Sequence, residues 1–207
     1  AESCGADCVM LLPPYLVEPT EDGMVAYTDL VAKASGCGVM VHSMPGSSFT
    51  PRLVERLADI PGVVSYKDEL GDVDNFREIA AHVGERLAYV NGRAEPMMAE
   101  YAAAGADVLA TAIGNFDPEL ALAAYDALTR GTEAYLGLLE PRAARWYELR
   151  QRNRAYLISV SKASMNAAGL AGGVSRPPLT DLAPQVQEEL VDMMQSVGYI
   201  PDGQVAR

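Results

Sequence analysis

The sequence contains few of the residues that mark several common protein classes. Only three cysteines occur among its 207 residues, namely Cys4, Cys8 and Cys37, and none belongs to a CxxC pair or has a histidine nearby. This odd number and spacing predict neither a disulfide framework nor a zinc site. We therefore expect buried free thiols in a reducing compartment.

Positive charge is also scarce. Sixteen Lys and Arg residues stand against 28 Asp and Glu residues, for a formal net charge of −12 and a pI near 4.5. Nucleic acids and anionic membranes repel such a chain at long range. The most apolar region, 155–174, is interrupted by Lys162 and Asn166, so no membrane span is predicted, and the opening residues predict no secretory signal. We expect a cytoplasmic protein that acts on a small molecule.

What the sequence does contain is a repeated pattern of strand and helix. Short apolar runs follow Gly-containing turns, as buried parallel strands do, and segments of helical periodicity separate them. Strands are predicted at 8–12, 38–41, 63–66, 87–90 and 108–112. Helices are predicted at 23–34, 51–58, 74–83, 94–103 and 118–128. Three further helices are predicted at 133–152, 154–168 and 184–196.

This order predicts an α/β fold whose consecutive strands are parallel, because each repeat has the length of one strand plus one crossover helix. Residues 1–130 would hold five βα units and residues 131–207 a C-terminal helical extension. Five such units could form an open doubly wound sheet or part of a closed eight-stranded barrel, and periodicity does not choose between them. The glycine-rich phosphate fingerprints GxGxxG and GxxxxGK[ST] are absent from the sequence, which disfavours nucleotide binding.

Lys67 is the residue most suited to covalent chemistry. It is one of three lysines and ends the apolar strand at 63–66. In a βα barrel the carboxyl ends of the strands form the active-site face. An amine that loses solvation there favours its neutral form, which can condense with a ketone to form an imine. The alternative is that Lys67 only pairs with Asp68, Glu69 or Asp72.

Four segments resemble the dihydrodipicolinate synthase/N-acetylneuraminate lyase superfamily in order and spacing. They are VVSYKDELGD at 63–72, LPPYLVEPTEDG at 12–23, HSMPG at 42–46 and Asn91-Gly92. The resemblance covers the chain from about Gly5 to Leu190. It implies strands 4 to 8 of a (β/α)8 TIM barrel with a C-terminal helical extension, in a Schiff-base-forming lyase whose catalytic amine is Lys67.

Within the superfamily, the chain is most similar to the 5-dehydro-4-deoxyglucarate dehydratase branch, and its tail motifs identify that branch better than the site does. The similarity lies in PPYLV, Lys67-Asp68, Asn115-Phe116, ISVSKA at 158–163 and RPPLTDL at 176–182. It implies a 2-keto sugar diacid that forms an imine and then loses water and CO2 to yield 2,5-dioxopentanoate. It also implies a homo-oligomer, commonly a tetramer, and no metal or organic cofactor, because the lysine imine itself withdraws electrons.

The resemblance also assigns roles at the site. His42 stands where family members carry a proton-relaying Tyr, and an imidazole can donate and accept protons near neutral pH. Further residues expected to bind substrate by position are Ser43, Asn91, Gly92, Ala112 and Ile113, whose alternative role is in turns and strands. Ser47 replaces an Arg of the lysine-biosynthesis branch, which disfavours dihydrodipicolinate synthesis. His82 is predicted to lie on a helix surface.

Three strands of the family barrel have no counterpart in this chain. They supply a Thr-Thr pair and a loop that binds the keto acid's carboxylate, so we expect the sequence to be a fragment of a protein of about 300 residues. The other functional hypotheses are a non-catalytic keto-acid-binding paralogue, another aldolase or hydratase-aldolase of the superfamily, and an open-sheet nucleotide-binding domain.

Overall fold

A five-stranded parallel sheet is the main feature of the computed structural model, which describes residues 1–130 and 142–200. The strands lie in sequence order and each pairs in parallel with the next. They are β1 (Cys8–Leu11), β2 (Gly38–Ser43), β3 (Val63–Asp68), β4 (Ala88–Asn91) and β5 (Val108–Leu109). The predicted α/β fold with parallel strands is confirmed.

A helix crosses between each pair of neighbouring strands. These helices are α1 (Glu21–Ala34), α2 (Pro51–Ala58), α3 (Val73–Val83) and α4 (Met98–Ala103), the last preceded by a 3-10 turn at Glu95–Met97. Side chains cap three of them, because Thr20, Thr50 and Asp72 accept hydrogen bonds from the backbone N–H three residues later. Such caps satisfy amides of the first helical turn and set where each helix begins.

The core of these units lies between the sheet and the helices and is rich in aromatic side chains. Phe76 of α3 is fully buried and contacts Tyr66, Tyr89 and Tyr101, with ring centroids 6.0, 6.0 and 4.8 Å away. Phe49 continues the cluster, 6.2 Å from Tyr66. Offset and edge-to-face pairs of this kind stabilise a core beyond the area that they bury.

The register between β2 and β3 decides which side chains share a face. The pairing shifts by one residue between Val39 and Met40, which is a bulge, and thereafter His42 pairs with Lys67 and Ser43 with Asp68. Because successive residues of a strand point to opposite faces, His42 and Lys67 share one face and Ser43 and Asp68 the other.

The described residues fall into two compact units, one within Ala1–Ala110 and one within Thr111–Arg207. The second contains α5 (Pro118–Arg130), α6 (Ala143–Gln151), α7 (Tyr156–Ala167) and α8 (Pro184–Ser196). Trp146 is fully buried in it, packs on Phe116 and Tyr147, and donates a 2.8 Å hydrogen bond from Nε1 to the Ser164 hydroxyl. None of the described helices combines the length and apolar character that a bilayer span requires.

Several predicted boundaries need correction. The fifth strand ends at Leu109 instead of residue 112, because the chain turns into a 3-10 helix at Ile113–Asn115. Of the helix predicted at 133–152, residues 143–151 are observed and 131–141 lie outside the described residues. The predicted boundary between residues 130 and 131 marks the end of the βα repeats. It does not mark the end of a compact unit, so it stays a prediction.

The thiols are free as expected, but they are not buried. Cys4 and Cys8 are exposed and Cys37 is half-buried. Cys8 belongs to β1, which pairs with β2 on one side only, so its side chain lacks a neighbouring strand to cover it. Partial burial still raises the pKa of the Cys8 thiol.

Candidate active site

Lys67 lies where the sequence predicts, near the carboxyl end of β3. Its side chain is 14% exposed, and its Nζ atom lies 3.7 Å from the Met10 sulfur of β1 and 3.9 Å from Glu69 Oε2. Burial of the stem leaves the amine at the rim of the sheet, with one carboxylate beside it.

His42 comes to the same place from the neighbouring strand. It pairs in register with Lys67, and its side chain is 3% exposed. Its Nε2 atom lies 3.1 Å from Glu69 Oε2, a contact whose alignment falls short of a full hydrogen bond, and Nδ1 has no hydrogen-bond partner among the described residues. A buried imidazole with a nitrogen left unbonded is suited to exchanging a proton with a ligand.

Glu69 joins these two residues and is the site residue that sequence reasoning missed as a functional group. Its backbone N–H donates a 3.0 Å hydrogen bond to the Ser43 carbonyl, which extends the strand pairing by one residue. The contact with His42, followed by the charges of Lys67, His42 and Arg93, lowers the pKa of the Glu69 carboxyl. Its position two residues after Lys67 was visible in the sequence, but it suggested only an ion pair.

Gly92 lies against the Lys67 side chain, and its role in binding substrate stays a prediction. A Cβ atom on Gly92 would lie 2.4 Å from the Asp68 carbonyl oxygen and 2.9 Å from Lys67 Cε. Its N–H donates a 2.7 Å hydrogen bond to that same carbonyl. Only glycine fits this approach, which presses the loop after β4 onto the lysine stem.

Asp68 organises the opposite face of the sheet end. Buried to 1% exposure, it accepts hydrogen bonds from the Ser43 hydroxyl at 2.6 Å, from the Tyr66 and Tyr101 hydroxyls, and from two backbone amides of the following loop. Burial, followed by the neighbouring Asp68, raises the pKa of Tyr66 and of Tyr101 far above the ordinary value. The hydroxyl of Ser43 is therefore engaged by Asp68 and is not brought to Lys67.

Asn91 shapes the loop that follows β4. Its Nδ2 donates a 3.0 Å hydrogen bond to the Ala94 carbonyl, and its Oδ1 accepts a 2.8 Å bond from the Arg93 backbone. Ala94 has a positive φ of 62°, a strained conformation for a residue with a Cβ atom. The amide of Asn91 is thus committed to the loop, and the loop carries the exposed Arg93 close to Gly71.

The two remaining predicted residues belong to the second compact unit. The Ala112 carbonyl accepts a 2.9 Å hydrogen bond from the Asn115 side chain, and Ile113 is fully buried. Their contact with substrate stays a prediction. His82 lies on α3, half-exposed and 3.0 Å from Glu55, so its predicted surface position is confirmed.

Relatives of this chain are enzymes by name. Over 201 residues it is 38% identical to a Rhodococcus opacus protein named "Probable 5-dehydro-4-deoxyglucarate dehydratase", covering 95% of this chain and 66% of that protein. A Pseudomonas savastanoi protein of the same name is 37% identical over 202 residues, covering 96% and 67%. The chain thus spans about two thirds of the length of these relatives.

Solved structures agree with the fold. Dihydrodipicolinate synthase from Oceanobacillus iheyensis superposes with a TM-score of 0.87 at 24% identity, over 96% of this chain and 67% of that one. DapA-2 from Bacillus anthracis gives 0.78 at 28% identity, over 97% and 68%. The predicted partial (β/α)8 barrel is confirmed. Residues 1–197 match the model of the dihydrodipicolinate synthetase family, and the chain belongs to that family.

Proposed function

We propose that the protein is a Schiff-base-forming lyase that acts on a 2-keto sugar acid, with Lys67 as the nucleophile and His42 as an acid–base group. The observation that supports this most strongly is the convergence of a lysine amine and a histidine on one carboxylate. Lys67 Nζ lies 3.9 Å and His42 Nε2 lies 3.1 Å from Glu69 Oε2, at the carboxyl ends of parallel strands. This edge is where barrel enzymes carry their active sites.

The chemistry follows from the lysine. Its neutral amine attacks the keto carbon, water leaves, and the resulting protonated imine withdraws electrons from the adjacent carbon. A base can then remove a proton from that carbon, and the electron pair expels a hydroxyl group one carbon further along as water. The carboxylate at the other end of the substrate then leaves as CO2, and the same protonated imine accepts the electron pair. His42 is close enough to the lysine to move protons in these steps.

The proposed substrate is 5-dehydro-4-deoxyglucarate and the proposed product 2,5-dioxopentanoate. The names of the relatives support this choice. So does Arg93, an exposed cation whose charge reaches Glu69 and which is suited to a second carboxylate at the strand edge. Among other members of the family, a dihydrodipicolinate synthase-like activity is disfavoured because Ser47 stands in place of a carboxylate-binding Arg.

Borohydride trapping tests the proposal. The complete protein mixed with pyruvate and borohydride should gain one reduced adduct, and peptide mass mapping should place it on Lys67. Lys67→Arg keeps the charge but cannot form the imine, so both adduct and turnover should be lost. Lys33→Arg is the matched control, because Lys33 is exposed and pairs with Asp29 at 2.6 Å. If the wild-type protein binds pyruvate but gains no reduced adduct, the mechanism is refuted.

A non-catalytic keto-acid-binding protein is the second candidate. The observation that favours it is His42 in place of the family's Tyr, which changes the reach of the group that relays protons. Such a protein would bind several 2-keto acids with no release of CO2. An assay of CO2 release from 5-dehydro-4-deoxyglucarate distinguishes the two candidates, because only the enzyme would release it.

The proposal extends to a homotetramer in the cytoplasm. The family resemblance supports the assembly, and the free thiols support a reducing compartment. Three consecutive apolar side chains after β1, those of Tyr15, Leu16 and Val17, are largely exposed, as a surface covered by another subunit would be. Light scattering of the complete protein should give the mass of four chains.

A further inference from the structure

The site places the nucleophile beside a negative charge, which creates a difficulty for the reaction. An adjacent carboxylate favours the protonated form of an amine, and an ammonium group has no electron pair with which to attack a ketone. Glu69 Oε2 lies 3.9 Å from Lys67 Nζ, and the lysine stem is largely buried. Imine formation at this site therefore needs a group that takes a proton from the Lys67 ammonium.

We propose that Glu69 is a further catalytic residue, which accepts the proton of the Lys67 ammonium and delivers it to His42. This inference rests on the proposed imine-forming function. The same oxygen atom faces both partners, since Oε2 lies 3.9 Å from Lys67 Nζ and 3.1 Å from His42 Nε2. The hydrogen bond from the Glu69 N–H to the Ser43 carbonyl fixes the backbone from which this carboxylate extends towards both groups.

The proton balance closes within the site. The ammonium of Lys67 gives a proton to the Glu69 carboxylate, and Glu69 passes it to the ring of His42. The neutral amine adds to the keto carbon, and a proton moves from its nitrogen to the former carbonyl oxygen to give a carbinolamine. The hydroxyl group of the carbinolamine then takes the proton from His42 and leaves as water. The nitrogen lone pair closes the C=N bond, which leaves a protonated imine. No proton enters from solvent, and Glu69 and His42 end as they began.

The surrounding groups suit Glu69 to this role. His42 and Lys67 flank its carboxylate and Arg93 lies nearby, and together they lower its pKa, so the resting group is an anion that holds an accepted proton only briefly and passes it on. Met10, from β1, presents a neutral sulfur to Lys67 and does not compete for the proton. Asp68 is directed to the other face of the sheet, where its oxygens are engaged by tyrosine, serine and backbone donors.

Glu69→Gln distinguishes a proton relay from a simple counter-ion, because the two roles predict opposite changes in the rate of imine formation. If Glu69 only neutralises Lys67, removing its charge frees the amine and speeds imine formation. If it relays the proton, an amide cannot accept it, and formation of the pyruvate adduct slows by about 100-fold, the usual size of acid–base catalysis. The adduct is measured by rapid mixing, borohydride quench and intact mass across pH 5 to 9, and the variant's rate should rise with pH.

Glu55→Gln is the matched control, since Glu55 contacts His82 at 3.0 Å in the same kind of pair on the surface. It should leave the adduct rate unchanged. Glu69→Asp keeps a carboxylate and should recover part of the rate. His42→Gln combined with Glu69→Gln should be no slower than the worse single variant, because residues of one relay act as a unit.

Each outcome decides the matter. An adduct rate in Glu69→Gln that equals or exceeds the wild-type rate overturns the relay, as does a double variant whose loss is the product of the single losses. If Glu69→Gln does not fold, the rates of Glu69→Asp and His42→Gln carry the same test, and wild-type rates in both overturn it. A wild type without a Lys67 adduct would instead refute the imine-forming function.

Discussion

Replacing Gly92 with alanine should damage both stability and the site. The new Cβ atom would lie 2.4 Å from the Asp68 carbonyl oxygen and 2.9 Å from Lys67 Cε. The lysine stem can move aside, but the carbonyl belongs to the backbone of β3. The loop after β4 must therefore move away from that strand, which loosens its contact with the Lys67 stem.

The size of the effect follows from these distances. An ordinary Cβ contact begins at 3.4 Å, so the loop must retreat by about 1 Å. That shift stretches the 2.7 Å hydrogen bond from the Gly92 N–H to the Asp68 carbonyl. Overpacking costs about 1–3 kcal/mol and a lost hydrogen bond about 1 kcal/mol, so we expect a loss of about 2–4 kcal/mol in the free energy of unfolding.

Urea unfolding followed by far-UV circular dichroism measures this loss, and borohydride trapping of pyruvate measures the site. The control is Gly23→Ala in α1, where the nearest atoms to the new Cβ are 3.4 and 3.7 Å away. Alanine there should be neutral or stabilise by up to about 1 kcal/mol, because it favours the helix. Wild-type stability and trapping in Gly92→Ala would refute the argument from close approach.

Three further predictions concern charged residues. Asp68→Asn replaces one acceptor oxygen in a buried network and should lower the free energy of unfolding by about 2–4 kcal/mol in urea titrations; a change within error would contradict the network's role. His82 lowers the pKa of Glu55 below its ordinary 4.5, so their pair stabilises the fold above that pH and the contribution is lost as pH falls through the lowered value. Glu55→Gln should therefore flatten the acid fall in Tm, and an unchanged slope would be inconsistent with the pair. Arg93→Gln should raise KM for a 2-keto diacid by about tenfold, and a KM equal to that of the wild type would exclude Arg93 from carboxylate binding.

The starts of the strands were predictable to within one residue, but the ends of β2 and β3, like that of β5, were not. β2 and β3 begin at Gly38 and Val63 as the apolar runs predict, and each continues two residues beyond the predicted end, to Ser43 and Asp68. Hydropathy ends a strand where polar residues begin. Here the polar residues pair across the strands, His42 with Lys67 and Ser43 with Asp68. A pattern within one segment does not show which residues of another segment pair with it.

The same limit applies to the site. The place of Lys67 near the end of a strand was predictable from the apolar run before it, and the family resemblance pointed to Gly92, but their roles in catalysis stay predictions. The engagement of Ser43 by Asp68 was not predictable, because it depends on the one-residue shift between β2 and β3. Glu69 was noticed only as a counter-ion, since its contact with His42 joins positions far apart in sequence.

The single tryptophan of the sequence gives the second compact unit a reporter of its own. Trp146 is sealed from water within that unit, whereas the buried tyrosines Tyr66, Tyr89 and Tyr101 belong to the first. Indole emission during denaturation would thus follow the helical unit alone, and amide hydrogen exchange in the strands would follow the sheet. Transitions that coincide would reveal one cooperative molecule, and transitions that separate would reveal two that melt independently.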